Sequence, residues 1–166
     1  MIEVRPVQPD DWRQLRAIRL EALRTAPDAF CTKYEDMECV GDDLWRRRSL
    51  QDGEGDTLSV LALDDAMAIG MAAGLLRGPE TTVEVVSVFV SEGARGTGTA
   101  DAILSLIETW AAGRGASSAY LLVEEGNSLA RHFYEKRCYF DTKERVSSPS
   151  GVDLWQARYQ KTLPGV

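Results

Sequence analysis

One joint constrains this chain more than any other: a strand that feeds through a glycine-rich turn straight into a helix. Residues 83–90 are mostly β-branched, with Glu84 and Ser87 as the only polar members, and they read as a central strand. Arg95-Gly96-Thr97-Gly98-Thr99-Ala100 then opens a helix in which Ala100, Ile103, Leu104, Ile107, Trp110 and Ala111 recur at i, i+3, i+4, i+7 spacing. Such a joint suits an anion, because unpaired amides at a helix N-terminus carry partial positive charge and glycines admit a phosphate close to the backbone. Arg95 adds a full charge. A P-loop is disfavoured, since Thr99-Ala100 stands where Lys-Ser/Thr is required. A dinucleotide fingerprint weakens too, because its third glycine falls on Asp101. An ordinary strand-to-helix turn with glycines for tight packing stays open at this point.

The flanking segments alternate between strand and helix periods. Residues 2–6 predict a first strand; Pro9-Asp10-Asp11 starts a helix with Trp12, Leu15, Ile18, Ala22 and Leu23 on one face, closed by Ala26-Pro27-Asp28. Asp42-Asp43 introduces a shorter helix over 44–50, leaving a loop with Phe30, Tyr34 and Met37 placed to border a pocket. Residues 57–63 and 67–77 flank Asp64-Asp65 as a hairpin whose second strand is softened by Gly70 and Gly74. Residues 51–57 read as a surface turn. A strand over 118–123, a helix over 127–137 and a last strand over 152–161 complete a mixed α/β chain.

At 166 residues, with 44% hydrophobic and 27% charged side chains and no repeat or linker, the whole span 1–166 reads as one domain with its own core. The longest uncharged run, 66–76, is about half of the roughly 20 residues a membrane helix requires. No membrane partner is expected. The N-terminus lacks the basic and apolar regions of a secretory signal. A net charge of −7 has the wrong sign for binding nucleic acid. Cys31, Cys39 and Cys138 with a single histidine, His132, suggest neither a disulfide framework nor a metal site, and a cytoplasmic setting is the natural expectation.

The same residues resemble the GNAT superfamily of N-acetyltransferases. Residues 95–100 follow that family's acetyl-CoA loop pattern, Arg/Gln-x-x-Gly-x-Gly/Ala. Residues 127–139, from Asn127 through Ala130, Phe133 and Tyr134 to Tyr139, are similar to its second motif, Asn-x-x-Ala-x-x-Phe-Tyr-x-x-x-Gly-Phe. Ile2-Glu3-Val4-Arg5-Pro6 and the stretch from Arg19 to Phe30 look like the opening of small bacterial members. The chain departs from the pattern at Cys138, where glycine is usual, at Tyr139 for phenylalanine and at Glu92 for proline.

The resemblance implies a mixed, mostly antiparallel central sheet, splayed near its middle, with helices on both faces and acetyl-CoA in the splay. Val88 and Val90 would meet the pantetheine arm, and Arg95, Gly96, Thr97, Gly98, Thr99 and Ala100 the diphosphate. Asn127 matches the family's cofactor-contacting asparagine, although asparagine also serves as a plain helix N-cap. Tyr134 matches the tyrosine placed near the sulfur as general acid, against the alternative of a satisfied core tyrosine. Glu84 is the general-base candidate, its pKa raised by burial, against a solvent-facing carboxylate on the strand. Phe30 and Tyr34 are the acceptor-pocket candidates. His132 and Cys138 are given no role. The expected reaction is direct acetyl transfer to a primary amine of a small molecule or protein, without a metal; a homodimer is compatible. The alternative is a non-enzymatic acyl-CoA-binding or sensor module of the same fold.

Overall fold

The computed structural model describes residues 1–50, 55–78 and 82–165. Its strands are β1 (Ile2–Pro6), β2 (Thr57–Asp64), β3 (Met67–Arg77), β4 (Thr82–Val90), β5 (Ser118–Glu124), β6 (Phe140–Ser147) and β7 (Trp155–Thr162). Among the described residues they form one sheet in the order β1-β2-β3-β4-β5-β7-β6. Neighbours run antiparallel except β4 and β5, which are parallel. The helices are α1 (Trp12–Thr25), α2 (Tyr34–Glu38), α3 (Asp42–Leu50), α4 (Thr99–Gly113) and α5 (Ser128–Lys136). None of them is long and apolar enough to cross a membrane.

The strand period sorts the core into two halves. Along β2, Leu58, Val60 and Ala62 join a cluster with Ile103, Leu104 and Ile107 of α4 and with Tyr134 of α5. The alternate residues Leu61 and Leu63 join Ile18, Ala22 and Leu23 of α1 and Trp45 of α3 on the other face. Both faces of the central strands are therefore covered. Gly70 and Gly74 are not soft points in β3: a Cβ on Gly74 would lie 2.6 Å from Ile107 Cγ2, and one on Gly70 would lie 3.0 Å from Ile103 Cδ1. Their missing side chains let α4 press onto the sheet.

The sheet opens at its centre. β4 pairs with β5 only at Thr82↔Ser118, Val83↔Ala119 and Glu84↔Tyr120. Beyond that, β5 follows β7, and β4 stays with β3. A bulge causes the divergence: Ala73 faces Val86 and Met71 faces Phe89, so Ser87 and Val88 together oppose one residue of β3. Ser87 takes the extra bend with a φ of +58°.

Several boundaries differ from the sequence reading. Tyr34 and Met37 belong to the short helix α2 rather than to a loop. β6 lies where no strand was expected. The last strand begins at Trp155 instead of Val152, because residues 149–153 form turns with Asp153 in the left-handed region. Of the turn expected over 51–57, residues 51–54 lie outside the described residues. At the end of α5, Cys138 adopts the left-handed conformation usual for glycine, with a φ of +67°. Tyr139 N–H donates to Tyr134 O and Cys138 N–H to Glu135 O, closing the helix as a glycine would.

Candidate active site

A cavity of about 300 Å³ fills the splay. Residues 84–88 of β4 form one wall, residues 121–124 of β5 the opposite one; α5 contributes Ala130 and Tyr134, and Asn127 before it also lines the cavity. Arg19 and residues 29–32 close it from the α1 face. Glu84 and Val88, Asn127 and Tyr134, and Phe30 thus come together from three separate stretches of sequence.

Tyr134 is buried, and its ring is fixed edge-on between Phe133 and Tyr139, with centroids 5.3 and 5.8 Å away. The hydroxyl of Tyr139 is engaged by Glu108 at 2.9 Å, and Glu108 also binds Lys161 and Arg137, which ties α4, α5 and β7 together behind the site. Tyr134 has no comparable partner: among the described residues its hydroxyl makes no hydrogen bond. Burial pushes its phenol well above the ordinary tyrosine value, so it holds its proton across any physiological pH. A neutral O–H beside a cavity, without a partner among the described residues, is chemically able to donate a proton.

Glu84 is not a lone buried acid. It lines the cavity, but its carboxylate accepts from Arg77 Nε at 2.9 Å with 18% of the side chain exposed. Burial, and then the nearby Glu84, push the Tyr120 phenol up. Asn127 caps α5, its Oδ1 accepting from Ala130 N–H at 3.1 Å, and still borders the cavity. Both roles weighed for it are geometrically compatible.

The glycine-rich loop lies beyond the end of β4. Gly96 and Gly98 have φ of +76° and +85°, and a Cβ on either would meet nothing within 4 Å. Gly98 supplies no side-chain cap to α4, and the amides of Gly96, Thr97, Gly98, Thr99 and Ala100 find no acceptor among the described residues. The threonine side chains organise the turn itself. Thr97 Oγ1 donates to Ala94 O at 2.6 Å, so Thr99 is the donor in the 2.7 Å bond between the two hydroxyls. Arg95 is tethered through Nε to Val90 O at 3.2 Å. What the loop offers is a row of unpaired backbone donors, exposed over residues 96–98, beside one guanidinium, an arrangement chemically suited to a phosphate.

Two expected residues sit apart from that picture. Val90 is not among the residues lining the cavity, and its carbonyl is taken by Arg95. Tyr34 borders a neighbouring cleft of about 460 Å³ rather than the splay cavity, and its hydroxyl donates to Glu38 at 3.1 Å. Phe30 lies between the two, lining both and stacking under Arg19 at 4.7 Å. Arg19, Ser87 and Glu124 line the cavity unforeseen. A signal for Arg19 existed: it stands seven residues after Trp12 and four after Leu15, a cation inside an apolar stripe.

Residues 12–140 match the acetyltransferase (GNAT) family. The chain belongs to that family, and acyl transfer is its class of chemistry. No curated protein matches the sequence. Solved structures reproduce the fold at low identity. An acetyltransferase of the GNAT family from Streptococcus pneumoniae superposes with a TM-score of 0.83 at 15% identity, covering 99% of this chain and 100% of the other. An N-acetyltransferase from Staphylococcus aureus Mu50 gives 0.81 at 17%, covering 99% of each. The PaiA N-acetyltransferase of Thermoplasma acidophilum, in complex with coenzyme A, gives 0.77 at 16%, covering 98% of this chain and 99% of the other. The splayed mixed sheet is thus the GNAT fold.

Proposed function

We propose that this GNAT protein transfers an acetyl group from acetyl-CoA directly to a primary amine of a small molecule or protein. One observation carries the reading: the unpartnered hydroxyl of Tyr134 lines the splay cavity, on the helix that Asn127 caps. The Gly96–Ala100 amides supply donors for a diphosphate, and the β4 edge that has left β5, Val88 included, supplies strand backbone for an extended arm. Acetyl-CoA, when bound, supplies an activated acyl group whose leaving thiolate requires a proton.

The chain's own groups meet the remaining needs. Tyr134 O–H delivers that proton, and its raised pKa keeps it neutral and ready. The incoming ammonium must lose a proton before it attacks; Glu84, directly or through water, is the carboxylate on the cavity wall suited to receive it. Its ion pair with Arg77 fixes its orientation. The surrounding valine and leucine side chains exclude water from the acyl group.

The test is thiol release from acetyl-CoA across amino acids, polyamines, aminoglycosides and peptides, alongside melting curves with CoA and with NAD. Stabilisation by CoA but not NAD, together with release above background for at least one amine class, is expected. CoA binding with no acceptor in the panel would favour a sensor module; no CoA binding would end the proposal.

A further inference from the structure

Behind Arg19, between α1, α3 and strands β2 to β4, a second cavity of about 390 Å³ is lined by Arg19, Arg48, Trp45, Thr57, Ser59, Ser87 and otherwise apolar side chains, with no carboxylate among its lining residues. Arg19 and Ser87 line both this cavity and the splay cavity, so they stand where the two meet.

Arg19 is half-buried and has no ion-pair partner among the described residues. Its Nη1 donates to Ser87 Oγ at 3.0 Å, its plane lies over Phe30, and its Nε is buried without an acceptor. The indole N–H of Trp45, fully buried in the same wall, also lacks one. Burying a guanidinium without a counter-charge is costly unless something else supplies the anion. Arg19 and Arg48 share this wall, and burial and then the charge of Arg48 lower the proton affinity of Arg19. The splay cavity, apart from Arg19, holds carboxylates: Glu84, paired with Arg77, and Glu124, held by Ser148 and Gln156 with no cation paired to it among the described residues.

We infer that the acceptor is an amino-acid-like zwitterion, its carboxylate received by Arg19 with Arg48 at the second cavity and its amine directed toward Glu84, Glu124 and Tyr134. This rests on the transferase reading above. Ser87 holds Nη1 and packing closes off Nε, which leaves Nη2, without a partner among the described residues, to donate to a carboxylate oxygen. Arg19 then acts as a specificity residue that orients the acceptor along the bulge of β4.

The experiment compares free amino acids with their carboxamides, with the amines lacking the carboxyl group, and with aminoalkyl phosphates. It follows thiol release and, separately, calorimetric binding of the same compounds without acetyl-CoA. The free acids should exceed the amides and simple amines in kcat/KM by roughly 10- to 100-fold. Arg19→Met and Arg19→Lys should raise KM for the acids and erase that preference, while calorimetric affinity for acetyl-CoA persists. Arg48→Ala should show a smaller loss in the same direction. Circular dichroism and melting curves verify that each variant is folded. Equal use of amides and acids by the wild type, retention of the preference in Arg19→Met, or preference for phosphates over carboxylates overturns the inference and leaves the transferase reading intact. Arg19-dependent binding of amino acids with no thiol release from any acceptor supports the carboxylate site and refutes the transferase reading.

Discussion

Replacing Tyr134 by phenylalanine separates chemistry from packing, because the hydroxyl it removes makes no hydrogen bond among the described residues. The ring keeps its edge-on contacts with Phe133 and Tyr139, so stability should change by no more than about 0.5 kcal/mol. Turnover should not survive as well. General acid catalysis contributes roughly 100- to 10,000-fold, and the lower figure corresponds to about 2.7 kcal/mol of transition-state stabilisation. The prediction is a fall in kcat of about 100-fold or more in steady-state thiol release, with acetyl-CoA affinity by calorimetry unchanged. Burial raises the phenol pKa above its ordinary value of 10.0. The proton is present below that raised pKa and lost only above it, so the wild-type rate should show no alkaline decline from this group up to about pH 10. A Tyr134→Phe enzyme that turns over within about twofold of wild type, at equal melting temperature, refutes the assignment.

Three further outcomes follow from named contacts. Gly98→Ala forces an L-residue into φ of +85° and puts a methyl on the open face of the loop; strain of about 1–2 kcal/mol should lower the melting temperature slightly, while KM for acetyl-CoA rises roughly tenfold, checked by kinetics. Cys138→Gly removes the same strain at the end of α5, so chemical denaturation should show a gain of about 1 kcal/mol with kcat unaltered. Asp11 accepts from Arg5 Nη1 and Nη2 at 2.5 and 3.0 Å and from Gln8 N–H, and the Arg5 bond leads in holding its carboxyl below the usual carboxylate range. Its stabilisation is therefore complete above the unfolded value near 4 and lost as pH falls below it. Asp11→Asn should melt lower at pH 7, with the gap to wild type closing in acid; a gap independent of pH would contradict this.

The strand–turn–helix joint and most of the elements were legible because their patterns are local: β-branched runs, helical spacing and glycine at a left-handed cap. β6 was not. Its sequence Phe-Asp-Thr-Lys-Glu-Arg-Val-Ser is mostly polar, which an edge strand with one neighbour tolerates, and the irregularity between Asp141 and Arg145, with Lys143 at φ +68°, breaks any alternation. α2 is too short to show a period. Tyr134, Asn127 and the loop were readable through motif spacing, whereas the bulge at Ser87 and the meeting of Arg19 with it depend on contacts 68 residues apart. Such contacts leave no trace in spacing. Glu84 illustrates the remaining difficulty: its place on the strand was visible, but its ion pair with Arg77 arises only when β3 is laid beside β4.

A crystal structure of the protein with coenzyme A tests the central claim most directly. The diphosphate should sit on the amides between Gly96 and Ala100, the pantetheine arm should run along β4 past Val88, and the sulfur should lie within hydrogen-bonding reach of the Tyr134 hydroxyl. Density for coenzyme A away from the splay, or a sulfur remote from Tyr134, would contradict the account.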